Sequence, residues 1–261
     1  MSENSKIEWT HHTFNPWWGC SKISEGCRNC YADTLASRYG KSELWKGQRE
    51  KKSGPWKEIL KWDKSARKRG VRERVFVASM ADIFEDHADV AGWRDEAFDL
   101  FDKLTNLDLL LLTKRPRFAG EYLYERYGYD YVPGHFWIGT TVENQKQAEE
   151  RIHHLLSIPA CVLFLSCEPL LGPLNLNEAL IPVRDGAYSS SKVDWVIVGG
   201  ESGQRARPME TQWALDIKKQ CEDTKTAFFF KQGSQAKWKN FKNFKTFPPA
   251  LQLRQFPEVH P

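Results

Sequence analysis

No run in the 261-residue chain reaches the roughly 18 apolar residues that a membrane-crossing helix needs. The N-terminus, MSENSKIEWT, lacks the basic start and apolar stretch of a secretory leader. A cytoplasmic protein with no membrane partner is expected. Neither G-x-G-x-x-G nor a P-loop occurs, and no Ser-His-Asp or metalloprotease motif is present. Internal repeats and long low-complexity segments are also missing. Six cysteines in a reducing compartment do not make a disulfide framework. Acidic residues are absent from Lys225 to Lys245, which holds six lysines. They are scarce from Lys46 to Arg74, where twelve Lys or Arg meet four acids. The whole chain carries only +4, so the remainder is net acidic. Such clusters suit a phosphate backbone or a solvated face equally well.

What is present is a recurrence of apolar run followed by helical spacing. The runs are Arg74–Met80, Leu107–Thr113, His135–Val142, Cys161–Cys167, Val193–Gly199 and Lys225–Lys231. They are apolar without alternation, as strands covered on both faces are. Helices are predicted over Tyr31–Tyr39, Trp93–Leu104, a short stretch from Arg117, Asn144–Leu156 and Thr211–Cys221. Strands alternating with helices over short connections imply an α/β fold: a full or partial (β/α) barrel of mostly parallel strands. An open doubly wound sheet gives the same pattern. Residues 1–236 are assigned to this domain, with residues 39–70 a basic, irregular or helical excursion. Residues 237–261, with Pro248, Pro249, Pro257 and Pro261, are expected to form a tail off the core.

Three cysteines crowd into the segment GCSKISEGCRNCYAD. Six residues separate Cys20 from Cys27, and two separate Cys27 from Cys30. Three thiolates can occupy three irons of a cubane and leave the fourth open to a substrate. With His11 or His12 they can instead make a tetrahedral Cys3His zinc site. On spacing alone the two metals fit equally. Cys161, Cys167 and Cys221 lie in apolar segments and read as small core residues.

From Ile7 to Tyr31, IEWTHHTFNPWWGCSKISEGCRNCY resembles a three-cysteine, phage-associated family of uncharacterised proteins, itself similar to a branch of the radical S-adenosylmethionine superfamily. Further matching segments are SMADIF, LLTKRP, WIGTTVEN, SCEPLLGPL and VIVGGESG, so the resemblance runs to about Gln232. Six residues, not the superfamily's usual three, separate the first two cysteines. Asn29 stands where that superfamily carries an aromatic. The C-x-x-C-Y ending with a downstream L-x-T-K-x-P resembles the spore photoproduct lyase branch, whose members repair DNA.

The resemblance implies a [4Fe–4S] cluster on Cys20, Cys27 and Cys30, and S-adenosylmethionine as its co-substrate. It implies an electron donor such as flavodoxin or ferredoxin, and allows for a partner protein. In a barrel of this kind, residues at the carboxyl ends of strands face the site. Ser79 and Asp82 are then candidates for the methionine amine. Lys114 or Arg115 would take its carboxylate or a substrate phosphate. Glu143 and Asn144 would bond the ribose hydroxyls, with Asn144 read first as a helix cap, and Thr113 and Thr141 are further cofactor-binding candidates at strand ends. Gly199 and Gly200 would let backbone approach adenine or phosphate. Lys114, Glu168 and Glu201 are the candidates for contact with the reacting substrate. Arg205 and Arg207 read equally as a phosphate grip or a solvated lead-in, and His87, His153 and His154 as residues without a chemical role. A nucleic acid or nucleotide is the expected substrate, from the charge clusters and interleaved aromatics. The rival expectation is a zinc-stabilised nucleic-acid-binding protein without catalysis.

Overall fold

The computed structural model describes residues 4–182 and 192–258. Seven parallel strands form one curled sheet, a half-barrel surrounded by helices, in the order β1 (His12–Phe14), β4 (Glu73–Val77), β5 (Leu107–Thr113), β6 (Phe136–Thr141), β7 (Val162–Cys167), β8 (Trp195–Gly199) and β9 (Ala227–Gln232). The six apolar runs each became a strand. The seventh, β1, was not expected, because its three residues, His12, Thr13 and Phe14, carry no apolar pattern of their own. A separate antiparallel pair, β2 (Trp17–Trp18) and β3 (Glu50–Lys51), sits beside the sheet.

Helices α1 (Tyr31–Arg38), α3 (Ala88–Phe101), α4 (Pro116–Tyr127), α5 (Gln145–Leu156) and α7 (Thr211–Thr224) connect the strands, with a short α6 (Asn177–Leu180). Helix α3 begins earlier than its apolar spacing predicts because the His87 side chain caps it, accepting from the Asp89 N–H. The basic excursion holds an ordered helix, α2 (Pro55–Arg69). Pro55, Ile59, Trp62 and Ala66 recur at helical spacing on its buried face, and Gly70 ends it in the left-handed region at φ 65°.

Side chains alternate along the strands between two cores. Val75, Val77, Leu109, Leu111, Ile138, Leu163, Leu165, Val196 and Val198 belong to the main core, shared with the helices. Phe76, Leu110, Trp137, Val162, Phe164, Trp195, Ile197 and Phe229 form a second, aromatic-rich core with Trp9, against which Phe256 packs. The segment after Lys237 departs from the expected off-core tail. Phe247 and Leu251 are buried, Trp238 and Phe244 pack against the main core, and Arg254 bridges to Phe229. Its prolines shape turns, while its aromatic residues supply the burial. Cys167 and Cys221 are buried as expected, but Cys161 is exposed because it precedes β7 and lies outside the sheet.

At Gly139 a Cβ would fall 2.4 Å from the Phe164 ring on the neighbouring strand. Gly139→Ala should destabilise the fold by about 1–3 kcal/mol through overpacking. Gly54→Ala, where a Cβ meets nothing within 4 Å, should change stability by under about 1 kcal/mol. Urea unfolding of both variants checks the pair.

Candidate functional site

A cavity of about 670 Å³ lies where the strands end. Its wall takes Ser79 and Asp82 from the turn after β4, Thr113 from the end of β5 with Lys114 and Arg115 just beyond it, and Thr141 from β6. Glu168 after β7, Gly200 and Glu201 after β8, and Lys231 on β9 complete the strand-end side. Cys20, Cys27 and Cys30, all half-buried, face the same cavity from the loop between β2 and α1. Of the fifteen residues singled out from the sequence, twelve line the cavity; Glu143, Asn144 and Gly199 do not.

Each of the three exceptions has structural work. Asn144 caps α5 by accepting from the Gln147 N–H at 3.1 Å. At Gly199 a Cβ would meet the Glu168 carboxylate at 2.6 Å, so the glycine makes room for that side chain and no ligand gap is left. Glu143 is fully buried, accepting from the Arg151 guanidinium at 2.8 Å and the Gly26 N–H at 3.1 Å.

Glu143 is one of three carboxylates that hold the cysteine loop. Glu85 accepts from the Ser21 N–H at 2.7 Å, and Glu201 accepts from the Asn29 amide at 3.0 Å. Each is backed by an arginine: Arg49 on Glu85 at 2.7 Å, Arg151 on Glu143 at 2.8 Å and Arg207 on Glu201 at 2.6 Å. Burial opposes ionisation of all three. The hydrogen bonds and charge of Arg49, the charge of Arg151 and the hydrogen bonds from Arg207 outweigh it and hold each carboxyl below the usual glutamate value. Arg207, weighed as a phosphate grip, is committed to Glu201 and to the Glu25 carbonyl. Arg205 contributes its carbonyl to Asn29 and leaves its side chain exposed.

The loop backbone is shaped to match. Gly19 sits at φ 114°, and Gly26 lies so close to Glu143 that a Cβ would stand 2.7 Å from its carboxylate. Asp82 receives four donors: the Phe84 and Lys114 N–H groups, the Thr113 hydroxyl and the Arg115 guanidinium. That saturates the carboxylate. It therefore orients Arg115, whose guanidinium also reaches the Ser21 carbonyl at 3.0 Å and Cys20 Sγ at 3.9 Å. Burial, then the Asp82 and Glu85 charges, push the Cys20 thiol up to about 12. At Cys27 burial also opposes ionisation, but the Lys114 ammonium and backbone donors prevail and lower the thiol.

The histidines that a Cys3His zinc site would draw on are engaged away from the thiols. Neither candidate histidine lines the cavity. His11 Nδ1 accepts from the Arg74 N–H at 2.8 Å, and His12 stacks on Trp62 at 4.5 Å with its Nε2 against Glu73. Among the described residues no three His, Cys, Asp or Glu side chains converge as ligands of one ion.

Sequence reasoning missed Glu85, Arg49, Arg151 and Asn29, and also Asn15, which accepts from the Met80 N–H at 2.8 Å. Glu85 directly follows the SMADIF segment and opens an acidic run, EDHAD, in which nothing local separates it from its neighbours.

An α/β half-barrel with a cysteine-lined cavity at its strand ends defines the class. The chain belongs to the family described as protein of unknown function (DUF5131), whose match covers residues 4–251. No curated protein and no solved structure matches it.

The three carboxylates set an acid limit. Their folded pKa values lie below the unfolded value, so their contribution is complete above about pH 4.3 and is lost as pH falls through the folded values. Glu143→Gln should lose about 3–5 kcal/mol at pH 7, because Arg151 is left buried without its partner. The difference from wild type should shrink below about pH 4.3. Urea titrations across pH 3–7, roughly the span of carboxylate titration, check both.

Proposed function

We propose that this chain is a radical enzyme in which Cys20, Cys27 and Cys30 hold a [4Fe–4S] cluster and the cavity takes S-adenosylmethionine. The observation that carries the reading is the meeting of all three cysteines with the polar strand ends on one cavity wall. Such a group supplies, when bound, one electron for the reductive cleavage of S-adenosylmethionine to methionine and a 5′-deoxyadenosyl radical.

The chain's own residues do the rest by position. The Lys114 ammonium donates to the Thr141 hydroxyl at 3.4 Å, has no ion-paired carboxylate among the described residues and is open to a ligand carboxylate. The Ser79 hydroxyl exchanges hydrogen bonds with the Asn15 amide and keeps its capacity to meet an amine. Glu168, paired with Lys231 at 2.9 Å, presents carboxylate to the cavity, whereas Glu201, a sequence candidate for substrate contact, is filled by donors from Asn29 and Arg207. Lys114 places positive charge beside Cys27, which favours a thiolate there, while at Cys20 the Arg115 guanidinium opposes burial and the Asp82 and Glu85 charges without outweighing them. The electron is assigned to a small carrier such as flavodoxin or ferredoxin, and a nucleic acid or nucleotide is the proposed substrate.

Anaerobic reconstitution with iron and sulfide tests the reading. The expected product is brown, absorbs broadly near roughly 400 nm and holds about four irons per chain. Cys20→Ala, Cys27→Ala and Cys30→Ala should each lose it, while Cys167→Ala keeps it. With dithionite and S-adenosylmethionine the wild type should release 5′-deoxyadenosine. Stoichiometric zinc in a colourless anaerobic sample would sink the proposal.

A further inference from the structure

The charges around the cavity are unevenly satisfied. Its four acids all have cationic partners: Glu8 with Arg254 at 3.8 Å, Asp82 with Arg115 at 2.9 Å, Glu168 with Lys231 at 2.9 Å and Glu201 with Arg207 at 2.6 Å. Four of its cations, Lys6, Arg38, Lys114 and Lys242, have no carboxylate partner among the described residues. Apart from the three cysteines, the cavity's uncompensated side-chain charge is therefore positive, and its complement is an anion with several separated charges.

The shape extends the argument. The sheet does not close, and its edge strands are β1 and β9. The cavity is bounded by Lys6–Trp9, just before β1, and by Phe241 and Lys242, just after β9. It thus reaches the gap between the two edge strands, which suits a chain that passes through. Two rings stand ready for stacking. Tyr31 is 51% exposed, and its hydroxyl is fixed on the Ser79 carbonyl at 2.5 Å. Phe241 lines the cavity with the Lys242 ammonium 5.3 Å from its centroid.

The basic segments noted in the sequence do not offer this surface as a whole. Lys51 is paired with Glu96, and Lys41 and Lys52 share Glu50. Phe228, Phe229 and Phe230 are buried, and Trp238 and Phe244 pack on Phe247. No residue of α2 lines the cavity, and its last turn meets Glu73 at the opening of β4, the far end of the sheet.

We infer that the open side of the half-barrel binds a single-stranded nucleic acid, with Arg38 and Lys242 on its phosphates and Phe241 and Tyr31 against its bases. This names the substrate of the site proposed above and rests on that reading for its chemistry, but the binding step needs no cluster.

The test is binding of a labelled oligothymidylate of about twelve nucleotides across a salt series. Arg38→Glu with Lys242→Glu should weaken binding at least tenfold. The doubly reversed variant should also lower the salt slope by about 0.7 for each lost phosphate contact. Phe241→Ala should weaken binding about tenfold, as loss of one stacked base does. Lys64→Glu with Lys68→Glu, on the exposed face of α2, should leave it unchanged. No binding, equal loss from the α2 reversal, or inorganic polyphosphate competing as well as the oligonucleotide would overturn the inference. Repeating the titration with Cys20→Ala separates the two readings. Binding without iron in any preparation leaves this inference standing and removes the cluster; a reconstituted wild type that ignores the oligonucleotide does the reverse.

Discussion

The arginine-backed glutamates are the constraint from which the site follows. Thiols that face a cavity must be carried on a loop whose own backbone is partly buried, and buried N–H groups need acceptors. Ser21 and Gly26 find them in Glu85 and Glu143, and the side-chain amide of Asn29 finds one in Glu201. An apolar wall of the same shape can satisfy none of these donors. A carboxylate in that setting must in turn be neutralised, and Arg49, Arg151 and Arg207 do so from behind. Such pairs add little net stability beyond an apolar substitute, but they fix where a loop without regular structure lies. Removing one member leaves an uncompensated charge, so the arrangement tolerates no partial loss.

Much of the scaffold was legible because parallel strands covered on both faces leave long apolar runs. LDLLLLT became β5 with its predicted bounds, and VLFLSC became β7 almost so. Strand β1 was not, since a three-residue strand with two polar members is recognised only through its pairing with β4. The helical alternative for the basic excursion holds in α2, whose bounds were masked by its cations: a buried stripe of Ile59, Trp62 and Ala66 lies under a surface of lysine and arginine. The segment after Lys237 misled for the opposite reason, its prolines outweighing Phe247 and Leu251.

The site was legible in part, for a related reason. Residues that follow an apolar run directly, such as Thr113, Lys114 and Glu168, were placed by the strand that precedes them. The partners that pin the loop are separated from it by 117 residues for Gly26 and Glu143 and by 172 for Asn29 and Glu201. Only the closed fold brings them together. Glu143 follows its strand as the others do, yet its side chain turns from the cavity toward Arg151, a choice that no local pattern records.

The unclosed sheet poses one more requirement, met by the two ends of the chain. A half-barrel exposes its inner face at both mouths unless something fills them. Trp9 and Phe256 pack on the inner aromatic core near the starts of the strands, where the Arg74 guanidinium lies 3.8 Å over Phe256 and donates to the Trp9 carbonyl. The Trp195 indole donates to the Gln255 carbonyl, and Arg254 reaches Glu8. The N- and C-terminal segments thus clasp each other across the amino end of the sheet. With that mouth plugged, the opening left to the inner face lies toward the carboxyl ends, beneath the cysteine loop. The late segment read from sequence as a tail is therefore part of what gives the cavity its direction.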